Sequence, residues 1–348
     1  MRIVKNILLI QTAFLGDVIL TLPLVQVLKK FFANAEVHML TVPRAAGLVE
    51  NHPCVDRTII FDKRRTDAGV GGLLRLARLI RSVRYDVAFV PHRSVRSALV
   101  ARLGRIPIRI GFRNSFGRYL YTATVPFSGD LHEVERCLSL LGALGIDWGN
   151  RELPTLYPSE EDRRRVDRLL VELEIVRPSN LIGVAPGTTW KTKRWLPERY
   201  ADLSKLLAED QFEVVLIGGE EDVDLCRSIA QMSGSSHVYS TAGRLTLLQS
   251  ADLIGRCRAV VSNDSASMHI AVAMRTPVVA IFGATIPEFG FYPYGSHDVV
   301  VETHGLSCRP CSKHGGDVCP IKTFECMTEI SHFRVFDKVQ QVLRQVQV

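Results

Sequence analysis

The sequence has 348 residues, 47% of them hydrophobic, and a formal net charge of +7. This length allows large buried cores and favours two domains over one. No apolar run reaches the roughly 18 residues that a membrane-spanning helix needs. Basic residues precede the apolar segment 7–10 as in a signal peptide, but Asp17 and the lack of a small-residue cleavage site argue against one. We therefore expect the protein to stay in the cytoplasm.

The positive charge is concentrated in the first half of the chain. Residues 1–155 contain 22 Lys/Arg and 12 Asp/Glu, a net charge of +10, whereas the remainder carries −3. Such a field suits a polyanion such as nucleic acid, an anionic membrane surface or a phosphorylated glycolipid. A solvated arginine-rich surface is the alternative. No recognisable nucleic-acid-binding motif occurs, so we do not expect a nucleic-acid partner.

The first half alternates predicted strands and helices, which is the order of a parallel sheet covered on both faces. Predicted strands cover residues 7–10, 36–40, 58–61, 86–90 and 109–111, and predicted helices include 17–32, 72–83 and 131–144. In the helix 72–83 we expect an apolar face to be buried: Leu73, Leu74, Leu76, Ala77, Leu79 and Ile80. Residues 153–158 are predicted to form an extended linker.

After the linker the alternation starts again. Predicted strands cover residues 181–185, 213–217, 259–261 and 278–282, and predicted helices cover 197–210, 222–232, 247–257, 268–274 and 333–348. The sequence therefore predicts an α/β protein with two Rossmann-like doubly wound domains and a ligand-binding cleft between them. We assign residues 1–155 and 156–332 to the two domains. The helix 333–348 is expected to pack back on the first domain.

Three strand ends of the second domain carry residues suited to a nucleotide diphosphate. Backbone N–H groups near Gly187, two hydroxyls and up to three cations follow the first strand. The next strand ends in a Gly-Gly-Glu turn, which presents the Glu220 carboxylate to a ribose diol. A helix then begins near Asp264, with Ser265 and His269 on one face, and its N-terminus favours phosphate. Ordinary turn and cap chemistry is the alternative for each segment alone. Neither G-x-G-x-x-G nor G-x-x-x-x-G-K-[ST] occurs at a strand end, which disfavours dinucleotide and Walker-type sites.

The first strand of the chain is followed by Phe14-Leu15-Gly16-Asp17-Val18. Gly16 is expected to allow a tight turn, and Asp17 is expected to cap the helix that follows. A plain N-cap is one interpretation of Asp17. A general base on the acceptor side of the cleft is the other.

The eight cysteines fall into two groups. Four scattered ones are interpreted as reduced core residues: Cys54, Cys137, Cys226 and Cys257. The other four form the cluster Cys308-x2-Cys311-x7-Cys319-x6-Cys326, which has only one closely spaced pair. We expect these thiols to pack a folded loop, with a zinc site as the alternative.

These motifs together resemble the ADP-heptose:lipopolysaccharide heptosyltransferases of glycosyltransferase family 9, most closely the heptosyltransferase II branch. The matching segments are F-L-G-D-V, A-P-G-T-T-x-x-x-K-R-W, G-G-E and S-N-D-S-A-S-M-H, in the same order over nearly the whole chain. The sequence departs from the family at Leu245, where one branch has methionine, and at Ser265-Ala266, which replaces Thr-Gly. The resemblance implies a GT-B fold, an inverting mechanism, no cofactor and no obligatory metal at the reaction centre.

The resemblance also implies roles for individual residues. Asp17 would be the general base and Lys193 would stabilise the charge on the leaving diphosphate. The donor would be bound by the following residues: Thr188, Thr189, Lys193, Glu220, Leu245, Asp264, Ser265, Ala266 and His269. Because a carboxylate repels a diphosphate, we assign Asp264 to sugar hydroxyls or the helix cap, and Ser265 and backbone N–H groups to the phosphates.

The acceptor implied is the lipopolysaccharide inner core, whose carboxylates and phosphates suit the basic first domain. The candidate acceptor-binding residues are Arg64, Arg65, Arg93, Arg96 and Arg113. We expect a peripheral protein on the cytoplasmic face of the anionic inner membrane. Two other functions fit the same sequence: a transferase with another nucleotide-sugar donor, and a non-catalytic protein that binds a nucleotide sugar or anionic lipid.

Overall fold

The computed structural model describes residues 4–149 and 151–346 of the chain. It divides into two compact units, Met1–Tyr157 and Pro158–Val348, two residues after the predicted domain boundary. The first three residues of the first predicted domain and the last two of the predicted C-terminal helix lie outside the described residues. Within the described ranges, no helix is long and apolar enough to cross a bilayer.

The first unit is a six-stranded parallel sheet with helices around it. Its strands are β1 (Asn6–Ile10), β2 (Glu36–Thr41), β3 (Arg57–Ile60), β4 (Val87–Val90), β5 (Ile108–Phe112) and β6 (Ala123–Val125). Its α-helices are α1 (Leu15–Phe31), α2 (Pro43–Val49), α3 (Gly69–Val83), α4 (Val95–Leu103) and α5 (Glu133–Ser139). The strand order is β3-β2-β1-β4-β5-β6. The order reverses between β1 and β4, and such a switch point is where open parallel sheets bind ligands.

The first sheet is built from continuous apolar strands because both of its faces are covered. In β1, residues 7–10 are all buried, and so is the whole of β4. Helix α3 buries Leu76, Ala77 and Ile80, which recur on one face at helical spacing. The expectation for Leu74 and Leu79 is wrong, since they are 40% and 39% exposed. They flank the buried stripe, and one helix face is too narrow to bury both.

The second unit repeats this architecture. Its strands are β7 (Leu181–Ala185), β8 (Glu213–Leu216), β9 (Val238–Ser240), β10 (Ala259–Asn263), β11 (Val278–Phe282) and β12 (Val299–Glu302). Its α-helices are α6 (Glu160–Glu172), α7 (Pro197–Glu209), α8 (Val223–Ser233), α9 (Leu247–Gly255), α10 (Ala266–Ala273), α11 (Glu325–Thr328) and α12 (His332–Val346). The parallel order β12-β11-β10-β7-β8-β9 again reverses once, between β7 and β10. The predicted α/β class with two doubly wound sheets is confirmed.

The C-terminal helix α12 packs on the second unit. Its contacts are with α7 and with the central and edge strands β10, β11 and β12. Val335, Val339 and Val342 are fully buried in the core of this unit. The expectation that this helix packs on the first domain is therefore wrong. These valines are four and three residues apart, so they form one apolar stripe on the helix. The stripe covers one face of the second sheet.

All eight cysteines are free thiols. The scattered ones lie in or beside the cores, with Cys137, Cys226 and Cys257 buried and Cys54 half-buried. In the clustered loop, Cys326 is buried and the other three are half-buried. Among residues 4–149 and 151–346, no group of three or more His, Cys, Asp or Glu side chains is arranged to hold a metal ion.

The packing of α12 predicts a difference between two substitutions on the same helix. Val339→Ala removes fully buried methyl groups and should lower the free energy of unfolding by roughly 1–3 kcal/mol. Phe333→Ala alters a side chain that is 60% exposed and should change the free energy of unfolding by less than about 0.5 kcal/mol. Urea unfolding of the full chain, followed by tryptophan fluorescence, measures both. Equal effects would show that α12 does not complete this core.

Candidate functional site

The side chain of Asn263 joins two points of the loop that follows β7. Asn263 is the last residue of β10 and is fully buried. Its Nδ2 donates to the Pro186 carbonyl at 2.9 Å, and its Oδ1 accepts from the Trp195 N–H at 3.0 Å. The segment 186–195 is thereby held against β10 at the switch point of the second sheet. Sequence reasoning did not predict this role of Asn263.

Lys193 and Asp264 form an ion pair at this switch point. Lys193 ends a short 3₁₀ turn after β7, and Asp264 directly follows β10. The Lys193 Nζ lies 2.6 Å from Asp264 Oδ2, and the side chains are only 14% and 8% exposed. The same oxygen accepts a hydrogen bond from Thr285 Oγ1 at 2.7 Å. The structure therefore brings the predicted cation and carboxylate together, and it adds Thr285, which follows β11 and was not predicted.

Helix α10 begins at the same place without a side-chain cap. Ser265 is its N-cap residue, yet the Ser265 hydroxyl makes no capping hydrogen bond and lies 3.2 Å from Ser262 Oγ. Asp264 is not the cap either: its Oδ2 accepts from Lys193 and Thr285. The first-turn N–H groups starting at Ala266 thus keep their capacity to bind an anion, and the helix dipole favours negative charge there.

His269 lies on α10 and is 4% exposed. Burial lowers its pKa to about 4, with Lys193 adding to this effect and Asp264 opposing it. The imidazole is therefore neutral near pH 7. Its Nδ1 is buried without a hydrogen-bond partner among the described residues. A buried polar atom without a partner is costly, so a ligand group that bonded to it would bind favourably.

The remaining predicted donor residues also follow strands at the same edge of this sheet. Thr188 donates its hydroxyl to the Trp190 carbonyl at 2.8 Å, whereas Thr189 is exposed. Glu220 is exposed at the start of a 3₁₀ turn after β8. Leu245 is half-buried between β9 and the N-cap of α9. The edge thus gathers polar groups from β7, β8 and β10 and an apolar one from the loop after β9.

Asp222 supports two of these loops and was not predicted. A Cβ atom at Gly187 would lie 2.3 Å from Asp222 Oδ2, so a larger residue there would require this carboxylate to move. The same oxygen accepts from the Gly219 N–H at 3.2 Å. Burial raises the pKa of Asp222, which the Gly219 hydrogen bond partly offsets. The Gly-Gly-Glu turn therefore lies beside the Gly187 loop.

In the first unit, Asp17 follows β1 as the third residue of α1. The helix begins at Leu15, and the N-cap is Phe14. The Asp17 carboxylate reaches back and accepts from the Phe14 N–H at 3.0 Å, as in one half of a capping box. The expectation that Asp17 is the N-cap is therefore wrong, as is the tight turn at Gly16, which lies inside the helix.

A second carboxyl group, Glu133, lies near Asp17. Helices α1 and α5 pack together, and Thr21 Oγ1 on α1 is 3.7 Å from Cys137 Sγ on α5. Burial and then the charge of Asp17 raise the pKa of Glu133 to about 7, against the opposing effect of Arg136. Arg136 Nη1 donates to Glu133 Oε2 at 3.0 Å. Sequence reasoning missed this pair because the contact depends on how the two helices pack.

Five predicted acceptor-binding arginines are exposed at the carboxyl ends of β3, β4 and β5. We call Arg64, Arg65, Arg93, Arg96 and Arg113 the edge arginines. Within residues 4–149 and 151–346 none of them forms an ion pair with a carboxylate. The Arg93 guanidinium lies 4.8 Å from the centre of the Phe116 ring. Uncompensated cations on one sheet edge are suited to an anionic ligand.

Lys63 belongs to the same edge and was missed by sequence reasoning. Its Nζ donates to the Thr12 carbonyl at 2.7 Å, which ties the β3 loop to the β1 loop. Burial, followed by the nearby charges of Arg64 and Arg96, lowers the pKa of Lys63. Thr12 Oγ1 is in turn 3.2 Å from His92 Nε2 in the β4 loop. The loops after β1, β3 and β4 are thus interconnected.

The burial of neutral His269 predicts a pH dependence of stability. The pKa of His269 is about 4 in the folded chain, against about 6.5 for an unperturbed histidine in the unfolded chain, so protons bind preferentially to the unfolded state. The part of the free energy of unfolding that depends on neutral His269 is fully present above pH 6.5. It is lost as the pH decreases toward 4. The wild type should lose up to about 3 kcal/mol more than His269→Gln over this range. Urea unfolding at several pH values tests this, and identical pH profiles would contradict it.

Comparison with known proteins places the chain in a family. Residues 73–320 match the model of glycosyltransferase family 9 (heptosyltransferase). Lipopolysaccharide heptosyltransferase 2 of Salmonella typhimurium is 30% identical over 82% of this chain and 84% of its own length. The structure of E. coli ADP-heptose LPS heptosyltransferase II aligns with a TM-score of 0.80 and 25% identity, covering 99% of this chain and 100% of that one. A family 9 glycosyltransferase from Veillonella parvula aligns with a TM-score of 0.88 at 23% identity, covering 98% of both chains, which supports the fold. The chain therefore belongs to glycosyltransferase family 9 and is a glycosyltransferase with the GT-B fold.

Proposed function

We propose that the protein transfers a heptose from ADP-L-glycero-D-manno-heptose to the inner core of lipopolysaccharide. The Salmonella relative is named for heptose transfer to lipopolysaccharide, and the E. coli structure is named for ADP-heptose. The observation that carries the proposal is the Lys193–Asp264 pair beside the uncapped start of α10. This arrangement offers a cation, a sugar-binding carboxylate and free N–H groups at one sheet edge.

In the donor site, the diphosphate accepts hydrogen bonds from the first-turn N–H groups of α10 and from the Ser265 hydroxyl. Lys193 supplies the positive charge, and the Asp264 carboxylate accepts further hydrogen bonds from the sugar hydroxyls. Neutral His269 offers a buried ring nitrogen to the sugar or a phosphate oxygen. Glu220 accepts from the ribose diol, and Leu245 lies against the adenine. Thr188 and Thr189 flank the diphosphate and heptose.

Transfer proceeds as a single displacement with inversion. The acceptor hydroxyl oxygen forms a bond to the anomeric carbon while the bond from that carbon to the ADP oxygen breaks on the opposite side. Asp17 removes the hydroxyl proton. The negative charge that grows on ADP is stabilised by Lys193 and by the N-terminus of α10, both of which are in place before reaction. Protein residues therefore supply both the base and the charge stabilisation.

The acceptor binds through the edge arginines. Their guanidinium groups match carboxylates and phosphates, which the lipopolysaccharide inner core carries. The lipid end of such an acceptor lies in an anionic leaflet, and each basic residue near that surface contributes on the order of 1 kcal/mol of attraction. We therefore propose a cytoplasmic protein that binds peripherally to the inner face of the inner membrane.

The donor is tested by assaying ADP-heptose, a UDP-hexose and a GDP-hexose in parallel with a lipopolysaccharide core acceptor. We expect turnover only with ADP-heptose, and we expect ADP but not NAD to raise the melting temperature, since a ligand that binds the folded state stabilises it. Turnover with a uridine donor alone would assign the chain to another transferase reaction. No ADP shift at millimolar concentration, together with no turnover, would indicate a non-catalytic binding protein.

The base is tested by Asp17→Asn. The amide oxygen still accepts from the Phe14 N–H, so the helix start should persist while the base is lost. We expect kcat to fall by roughly 10²–10⁴ with donor affinity within a few-fold of wild type. Asp162→Asn is the matched control, because Asp162 holds the equivalent position in α6 and accepts from the Ser159 N–H at 2.9 Å. Similar kinetics in the two variants would make Asp17 purely structural.

The acceptor surface is tested by replacing Arg64, Arg65, Arg93 and Arg96 together with Ser. We expect the KM for acceptor to rise far more than the KM for donor, and binding to anionic vesicles at low salt to weaken. Wild-type binding itself should decrease as salt rises, because the Debye length falls to about 8 Å near physiological ionic strength. The control removes the same number of charges from α6: Arg163, Arg164, Arg165 and Arg168. If the acceptor KM and vesicle binding were both unchanged, the edge arginines would have no role in binding and would form only a solvated surface.

A further inference from the structure

The loop containing the four clustered cysteines is hydrogen-bonded to the turn that carries Lys193. Thr192, the residue before Lys193, donates its N–H to the Gly316 carbonyl at 2.9 Å. Gly316 donates its own N–H to Thr192 Oγ1 at 2.8 Å. Thr192 is 3% exposed, so water competes little for these two bonds. This reciprocal pair fixes the backbone from which the lysine side chain projects.

The neighbouring Gly315 packs against the lysine stem. A Cβ atom at Gly315 would lie 3.1 Å from Lys193 Cγ and 3.2 Å from Trp190 Cβ. Gly315 has φ +84°, which glycine adopts easily. Ser312 closes the turn, because its Oγ accepts from the Gly315 N–H at 2.8 Å and donates to the Gly315 carbonyl at 2.9 Å. The loop backbone is therefore held close to the aliphatic part of Lys193.

The same loop also reaches the other side of the ion pair. Arg309 Nη2 donates to the Thr285 carbonyl at 2.8 Å and to Glu302 Oε2 at 2.7 Å. Cys311 donates its N–H to the Ala284 carbonyl at 3.0 Å. Thr285 is the residue whose hydroxyl binds the Asp264 carboxylate. One loop thus supports both members of the Lys193–Asp264 pair.

We infer that Thr192, through its bonds to Gly316, is a positioning residue for Lys193 and that the loop Cys308–Cys326 preorganises the donor diphosphate site. The inference rests on the proposed role of Lys193 at the diphosphate. A lysine side chain has many rotamers, and fixing its backbone and stem in advance reduces the ordering that must occur when the donor binds. Thr192 acts only through Lys193 and needs no contact with substrate.

The test begins with Thr192→Val, which keeps the side-chain shape but cannot accept from the Gly316 N–H. We expect kcat/KM for the donor to fall roughly 5–50-fold, the range for losing a buried hydrogen bond at a reacting site. Thr192→Ser keeps the hydroxyl and should recover activity to within about threefold. Thr276→Val is the matched control, because Thr276 is equally buried and bonds the Ile254 carbonyl at 2.9 Å beyond the far end of α10. It should leave donor kinetics unchanged even if it lowers the melting temperature.

A double-mutant cycle with Lys193→Ala separates positioning from general support. If Thr192 acts through Lys193, then Thr192→Val should change kcat/KM less than about twofold in the Lys193→Ala background. Full additivity of the two losses would overturn the inference. Wild-type activity of Lys193→Ala would instead refute the proposed role of Lys193. If Lys193→Ala is impaired but Thr192→Val is as active as Thr276→Val, only the positioning role is refuted.

Gly315→Ala provides a second route if Thr192→Val folds poorly. The added methyl group must displace the Lys193 stem, so we expect a rise in donor KM and a fall in kcat. Gly305→Ala is its control, because Gly305 has a similar φ of +77° but nothing within 4 Å of an added Cβ. Both variants carry the same backbone strain, and only Gly315→Ala should impair the donor reaction. Equal kinetics in the two would contradict contact between the loop and Lys193.

Discussion

The buried amide of Asn263 fixes the geometry on which the second unit's site depends. It satisfies one carbonyl and one N–H of the loop after β7. Leaving such buried groups without partners costs about 1–3 kcal/mol each, so moving the loop away from Asn263 is unfavourable. Trp195, held by one of these bonds, is itself buried and donates its indole N–H to the Ile330 carbonyl. Lys193 is thereby placed beside Asp264, which directly follows Asn263.

The parts of the fold that the sequence predicts are those with long apolar runs. Strands buried on both faces, such as β7 and β11, match their predicted bounds because a parallel sheet needs continuous apolar residues there. The edge strands β6 and β12 were missed because they are short and mostly half-buried. Helix α6 was missed because it buries only Val166, Leu169 and Leu170 among charged residues. Its capping box from Ser159 to Asp162 was the available signal.

In the candidate site, residue types were predictable and their partners were not. Polar residues that follow buried strands meet at one sheet edge, which is why the segments that contain Lys193, Asp264 and Ser265 were identified from sequence. The role of Lys193 itself was implied by the family resemblance. Asp222, Thr285 and Gly316 were missed because their roles arise from segments that approach only in the folded chain. Sequence also leaves cap position uncertain by a residue or two. Asp17 therefore proved to be the third residue of α1.

The two units differ in how their basic residues attract anionic ligands. On the proposed roles, this difference matches the donor in the second unit and the acceptor in the first. In the second unit, which carries a net −3 beyond residue 155, a single lysine is already paired at 2.6 Å and largely shielded from water. Attraction there depends on short, directed hydrogen bonds, which salt screens weakly and which discriminate between diphosphate geometries. The edge arginines are exposed and lie in a unit of net charge +10, so their field is long-ranged, salt-sensitive and tolerant of orientation. On the proposed roles, a nucleotide sugar whose diphosphate must be held in one geometry suits the first arrangement, and an acceptor in a fluid anionic surface suits the second.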